Sequence, residues 1–244
     1  MKKILLAAAL FLPALPLFAA PSGCLYDLSG PVEIFKAGAP GWAPARKGDA
    51  LDQGDRVRTG EKAWCELLLR DGSYIKLDAG SETAADELKT AAGERAFSFS
   101  FLKGKALWMA SRLKAKTLSK FSVRTPSAVC AVRGTDFSIA VSTAGETTVG
   151  LFEGAVAVTG ASQETEIVAG QEAYAGPGGL TVEGRLSKFM RAEERRCAKV
   201  RGRVAGLRKR LAERETFLDE YMDKQAKKLA DFDARREERL KGRK

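Results

Sequence analysis

Four carboxylates, Asp55, Asp71, Asp136 and Glu153, fall in turns or at strand ends, where groups for acid/base chemistry often sit. That chemistry needs two partners at a defined separation, and nothing in the sequence pairs any two of them. The chain has no histidine, which removes His-based acid/base catalysis, Ser-His and Cys-His nucleophilic pairs and every His-containing metal site. Four cysteines, Cys24, Cys65, Cys130 and Cys197, allow three full pairings. None stands in a CxxC spacing, so neither a zinc ribbon nor a thioredoxin-like redox site is expected. The run Gly176-Pro177-Gly178-Gly179 lacks the Lys-Ser/Thr and the strand-to-helix setting of a phosphate loop. The expectation is therefore a non-enzymatic chain with no cofactor and no metal. Arg133 is the most informative single residue, because it sits between Val132 and Gly134 in an apolar setting. It could cap buried carbonyls, pair with Asp136 or Glu153, or contact a ligand; the structural role is the expected one.

The elements that must position these residues begin after a leader. Met1-Lys2-Lys3, an apolar run to Ala20 and then Pro21-Ser22-Gly23 have the plan of a secretory signal peptide over residues 1–20, too short for a membrane span. Lipid attachment at Cys24 is the alternative. Either way the chain is expected in the periplasm or secreted. The net charge of +10 is not spread evenly: residues 185–244 hold 21 Lys/Arg against 11 Asp/Glu, while residues 1–184 hold 20 of each. The excess belongs to a tail. The body between is neutral.

From residue 24, short alternating or β-branched runs recur between Gly, Pro, Asp and Ser, the pattern of an all-β domain. The clearest are residues 31–35, 64–69, 74–77, 97–101, 121–124, 137–141, 147–152, 155–159 and 166–168. Asp71-Gly72 between two apolar runs is a hairpin signal, and Cys65 shares a face with Ala63, Leu67 and Leu69, so it points to the core. Residues 81–95 break the pattern and read as a helical turn or loose loop. Three segments share an apolar-polar-Gly-x-apolar-x-apolar form, around Gly30, Gly104 and Gly154. Val57-Arg58-Thr59-Gly60 and Val123-Arg124-Thr125-Pro126 form a second repeated theme. Such repeats suit strands stacked in layers, as a β-roll or solenoid, with a β-sandwich as the alternative.

Two stretches, Gly54-Asp55-Arg56-Val57-Arg58-Thr59-Gly60 and Thr125-Pro126-Ser127-Ala128-Val129-Cys130-Ala131-Val132-Arg133-Gly134-Thr135-Asp136-Phe137, resemble the FecR-like periplasmic domain. Asp71-Gly72-Ser73, Glu153-Gly154 and Ala169-Gly170-Gln171 follow in the family's order, and Trp42 stands where it often has a tryptophan. The resemblance covers about residues 28–175. It implies that Gly54, Asp55, Thr59, Asp71, Gly72, Thr125, Pro126, Arg133, Gly134, Thr135, Phe137 and Gly154 are architectural. Gly54 and Gly72 suit turns with positive φ, and Asp55 could hold its own turn by bonding backbone two residues on. FecR proteins that sense iron-siderophore uptake are similar to transmembrane regulators with a cytoplasmic segment acting on a sigma factor. This chain has no such segment ahead of its apolar run, so only the periplasmic interaction module is expected to carry over.

Residues 176–184 read as a Gly/Pro linker, and residues 185–244 as one basic amphipathic helix. Met190, Cys197, Val204, Leu211 and Leu218 form a seven-residue column. A helix so polar needs a partner for its stripe, and a coiled coil with a second copy, a helix lying on the β body, or a helix bound to anionic lipid or wall polymer would each supply one. In a parallel coiled coil Cys197 would face its own copy and form an interchain disulfide. Nucleic acid is not an expected partner, since export argues against it and no aromatics interleave the cations. The sequence as a whole predicts a mainly β domain, residues 24–175, followed by a long C-terminal helix. Its expected work is binding or scaffolding a protein partner in the envelope, or relaying a signal.

Overall fold

In the computed structural model, which describes residues 21–91, 94–112, 118–161, 163–214 and 216–241, seventeen strands precede two helices. The expected signal peptide over residues 1–20 lies outside the described residues. One sheet runs β4 (Ala50–Leu51), β1 (Gly23–Ser29), β6 (Trp64–Leu69), β7 (Tyr74–Leu77), β9 (Glu94–Met109), β12 (Asp136–Val141), β13 (Thr147–Glu153), β16 (Glu172–Gly176), β17 (Gly179–Glu183). We call it the inner sheet. The outer sheet runs β3 (Ala43–Pro44), β2 (Val32–Phe35), β5 (Arg56–Thr59), β8 (Glu82–Ala91), β9 again, β10 (Leu118–Arg124), β11 (Val129–Val132), β14 (Ala155–Gly160), β15 (Gln163–Val168).

The two sheets share one core, in which Leu67, Ile75, Trp108, Phe137 and Ile139 of the inner sheet meet Val57, Phe97, Phe99, Phe121 and Val156 of the outer one. The arrangement is a two-sheet sandwich, and the solenoid expectation is corrected. The three repeated Gly segments explain why the sequence suggested layers. The chain passes from inner to outer sheet at Gly30, from outer to inner within β9 at Gly104, and from inner to outer at Gly154, with φ of 75°, 91° and 91°. Positive φ is cheap only for glycine, and at Gly104 an added Cβ would also run into Ser81. The repeat marks sheet crossings rather than rungs.

Residues 81–95 are corrected from helix or loop to β8 and the start of β9, which pair antiparallel. Ala84, Ala85, Leu88 and Ala91 gave a helical spacing, but a register shift between Ala85 and Glu87 resets which side faces the core. The linker reading of residues 176–184 is corrected too: Gly176 and Gly179 pair across Pro177-Gly178, so this stretch is a hairpin on the sheet edge.

The tail is two helices, α1 (Lys188–Glu213) and α2 (Phe217–Lys241), not one. Ser187 caps α1 by accepting from the Met190 N–H at 3.2 Å. The helix ends where Arg214 turns to extended backbone, φ −137° and ψ 105°. The seven-residue column then finds its partner within the molecule. Met190, Cys197 and Val204 pack with Leu186 on Tyr74, Leu107, Met109 and Phe152 of the inner sheet's far face. Leu207 and Leu218 close on Cys24 and Leu68. Each such buried side chain contributes about 1.5–3 kcal/mol, and in this fold the sheet already covers the stripe. Cys197 is fully buried against the sheet, so in this fold it cannot reach a second copy. Cys24, also fully buried, lies under the helix corner. All four cysteines are free and buried, and Cys65 faces the core as expected.

Candidate functional site

At one end of the inner sheet, three turns and α1 enclose a cleft of about 700 Å³. The β6–β7 turn brings Arg70 and Asp71, the end of β9 leads to Ala110, Ser111 and Arg112, and the start of β12 brings Gly134 and Asp136. Glu153 comes from the end of β13, and Arg201, Arg208, Leu211 and Ala212 from α1.

The turns are built by their own side chains. Asp71 accepts from the Ser73 N–H at 2.8 Å and the Ser73 hydroxyl at 2.7 Å, which fixes the hairpin and leaves Gly72 at φ 83°. Behind it Arg95, 2% exposed, pairs with Asp71, while the Ser111 N–H donates to Ser73 Oγ at 3.0 Å. Burial holds the Arg95 guanidinium down to about 10. Gly134 has φ 64°, and its carbonyl accepts from Arg112 Nε at 3.1 Å. The Thr135 carbonyl accepts from the Ala110 N–H at 2.9 Å, and Gly154 lies where a Cβ would come 2.5 Å from Thr135 Cγ2.

Arginines bind α1 to this frame. Arg201 lies 3.0 Å from Asp136 and 3.4 Å from Glu153, and Arg112 pairs with Glu153 at 2.7 Å. Arg208 donates to the Gly72 carbonyl at 3.0 Å and the Met109 carbonyl at 2.9 Å. Burial raises the Asp136 carboxyl, with Arg201 opposing, and burial lowers Arg208. Further along, Arg203 grips Glu66 with two bonds of 2.7 Å, and Arg196 grips Asp78 at 2.6 and 2.7 Å. Burial alone would push Glu66 and Asp78 up. Bonds from Arg203, Tyr74 and Lys76 to Glu66, and from Arg196 and Lys105 to Asp78, outweigh it and hold both below the ordinary range. Lys105 also reaches the buried Glu193 at 2.6 Å. At the corner, Arg70 clasps Asp219 of α2 at 2.7 and 3.1 Å, and Tyr221 stacks on Tyr26.

Of the motif residues, the structure brings Asp71, Gly72, Gly134, Thr135 and Gly154 together around this cleft. The others stand elsewhere. Asp55 does not bond two residues on, as expected, but reaches back: it accepts from the Ala37 N–H at 2.9 Å, the Asp52 N–H at 2.8 Å and Lys36 Nζ at 2.5 Å. Beside it Gly54 has the expected positive φ, 88°. Thr59 donates to the Asp78 carbonyl at 2.5 Å, and Thr125 accepts from the Ala128 N–H at 2.9 Å next to Pro126. Phe137 stacks on Trp108 in the core, 6.2 Å between centroids. Arg133 is the clear correction. It is exposed, and its expected places at Asp136 and Glu153 are taken by Arg201 and Arg112.

The residues that sequence reasoning missed are these arginines. Arg196 and Arg203, and again Arg201 and Arg208, recur at seven-residue spacing on either side of the apolar column. That double row was a signal of two fixed rims. Among the described residues, no group of three or more Cys, Asp or Glu is placed to hold a metal ion.

The turns that line the cleft carry its family signature. Residues 55–157 match the model described as FecR protein. This stretch is a FecR domain. The domain supplies Asp71, Gly134, Asp136 and Glu153 to the cleft, while Arg201 and Arg208 come from α1, outside the matched residues. The chain also aligns with two crystal structures described as "putative anti-sigma factor" from Parabacteroides distasonis. Each alignment has 19% identity over 53% of this chain and 59% of the other, with TM-scores of 0.45 and 0.44. No curated protein matches the sequence.

Proposed function

We propose that the protein is an exported, non-catalytic component of a FecR-type signal relay that works by binding a protein partner in the envelope. The FecR domain supports the relay class. The cleft carries the binding reading: its three carboxylates, Asp71, Asp136 and Glu153, are each engaged by an arginine, which suits recognition and leaves none of them free as a base. The leader supports export. The test is site-specific photo-crosslinking in cells, with a photoreactive residue at Arg112 on the cleft's lip and a control at Arg124 on the outer sheet. Envelope fractionation and a mass loss matching residues 1–20 are expected, with a discrete adduct from position 112 and not from 124. A cytoplasmic, unprocessed chain, or identical adducts from both positions, would overturn the reading.

A second reading rests on α2. Beyond Leu229 the helix leaves the body, with Phe232 64% and Leu240 59% exposed among Arg235, Arg236 and Arg239. This end could hold anionic lipid or wall polymer. Sedimentation with anionic vesicles, compared with a chain ending at residue 225, tests it.

A further inference from the structure

We propose that the cleft between α1 and the FecR-domain turns takes a single carboxylate borne by an acidic peptide segment of the partner; this rests on the protein-binding reading above. The charges at the cleft are nearly closed. Arg70 is spent on Asp219, and Asp71 on Arg95. What remains is Arg112, Arg201 and Arg208 against Asp136 and Glu153. Among the described residues, three guanidiniums to two carboxylates leave one positive charge in excess.

That excess is localised at Arg208. It bonds only to two main-chain carbonyls, and among the described residues no carboxylate lies within ion-pair distance of it. Burial disfavours its charged form, so a counter-ion arriving in the cleft relieves a cost already present in the free protein. A carboxylate received by Arg208 and by Arg112 at the lip gains charge-assisted hydrogen bonds. A phosphate dianion overshoots the single excess charge and meets Asp136 and Glu153. A peptide does the opposite, because its N–H groups can face those same carboxylates. Leu211, Ala212 and Ala110 add apolar wall for side-chain methylenes. The volume of about 700 Å³ exceeds what one carboxylate fills and lies within the usual range for ligand clefts.

The probe is the acetylated and amidated peptide Ala-Leu-Glu-Leu-Ala, with Ala-Leu-Gln-Leu-Ala and inorganic phosphate as the other arms, titrated into the isotopically labelled mature chain. Arginine Nε–H resonances are the readout. The expected result is saturable movement of Arg208 and Arg112 with the glutamate peptide, at a Kd on the order of 1 mM. The glutamine peptide should bind about tenfold more weakly, and phosphate should not displace the probe. Arg112→Gln, at an exposed position, should keep the melting midpoint and weaken the glutamate peptide about tenfold. Equal binding of the two peptides, displacement by phosphate, movement confined to Arg235, Arg236 and Arg239, or no saturation by about 10 mM each overturns the proposal. If the position-112 crosslink persists while the peptide fails, the partner-binding reading stands and only the carboxylate assignment is lost.

Discussion

Leu207→Ala tests whether α1 is a docked layer of the fold. Leu207 is 1% exposed and packs with Cys24, Leu68 and Leu218 on the far face of the inner sheet. Truncating a buried leucine costs about 2–5 kcal/mol, through lost transfer energy plus the cavity left behind. The sandwich core is a separate cluster that α1 does not enter, so the loss should fall on helix docking and leave the two sheets intact. Cys197 reports that docking. Burial, with Asp136 adding to it, pushes its thiol up to about 12, so the docked helix offers almost no thiolate. An undocked helix returns the thiol to about 8.5. Since about 1.4 kcal/mol is a factor of ten, a 2 kcal/mol loss raises the open population by about 30-fold, and maleimide modification of Cys197 should rise by at least that factor. Cys24, in the same cluster as Leu207, should follow. Cys65 and Cys130 should keep their wild-type rates, read site by site from peptide masses. Fast modification of Cys197 in the wild-type chain, a Cys197-linked dimer on a non-reducing gel, or equal acceleration of all four cysteines would refute the docked-layer account.

Three more outcomes follow from the same geometry. In Gly150→Ala the new Cβ meets Met190 Cγ and Sδ, both at 2.7 Å; the cost of overpacking is about 1–3 kcal/mol, and hydrogen exchange should quicken in the first turns of α1 before it does in the sheets. Arg133→Ala removes an exposed side chain, so denaturant unfolding should move by less than about 0.5 kcal/mol; a larger loss would restore a structural role. Glu66 and Asp78 are held below their ordinary values by their arginine and lysine partners. Their contribution is therefore complete above the unfolded values of about 4.3 and 3.9 and is lost as pH falls through the lower folded values. Asp136, held above its ordinary value, works the other way and offsets part of this loss. The melting midpoint should fall below about pH 4, and Glu66→Gln should flatten that fall; a midpoint that rises toward pH 3 contradicts the assignment.

Much of the β body was legible in the chain. Residues 64–69 and 74–77 were read at the bounds they have as β6 and β7, because Asp71-Gly72 fixes the hairpin from within. Gly30, Gly104 and Gly154 were visible as a repeat, since only glycine takes their backbone angles cheaply. Their meaning was not, because a crossing and a rung place the same local demand on the backbone. β8 was lost because its bulge disguises a strand period as a helical one.

An amphipathic tail with a seven-residue apolar column, a neutral β domain and the FecR signature could all be read along the chain, because each depends on neighbours within a few residues. What the column faces is set by the folded molecule. A stripe of Met190, Cys197, Val204 and Leu207 would bury equally well in a second copy or on a sheet, and the choice lies with residues far earlier in the chain, from Cys24 to Phe152. Tyr74 and Leu107 make the inner sheet's far face apolar, while Glu66 and Asp78 meet Arg203 and Arg196. On α1 the arginines thus act as a clamp: Arg196, Arg201 and Arg203 meet carboxylates of the sheet, while Arg208 meets only main-chain carbonyls beside the cleft.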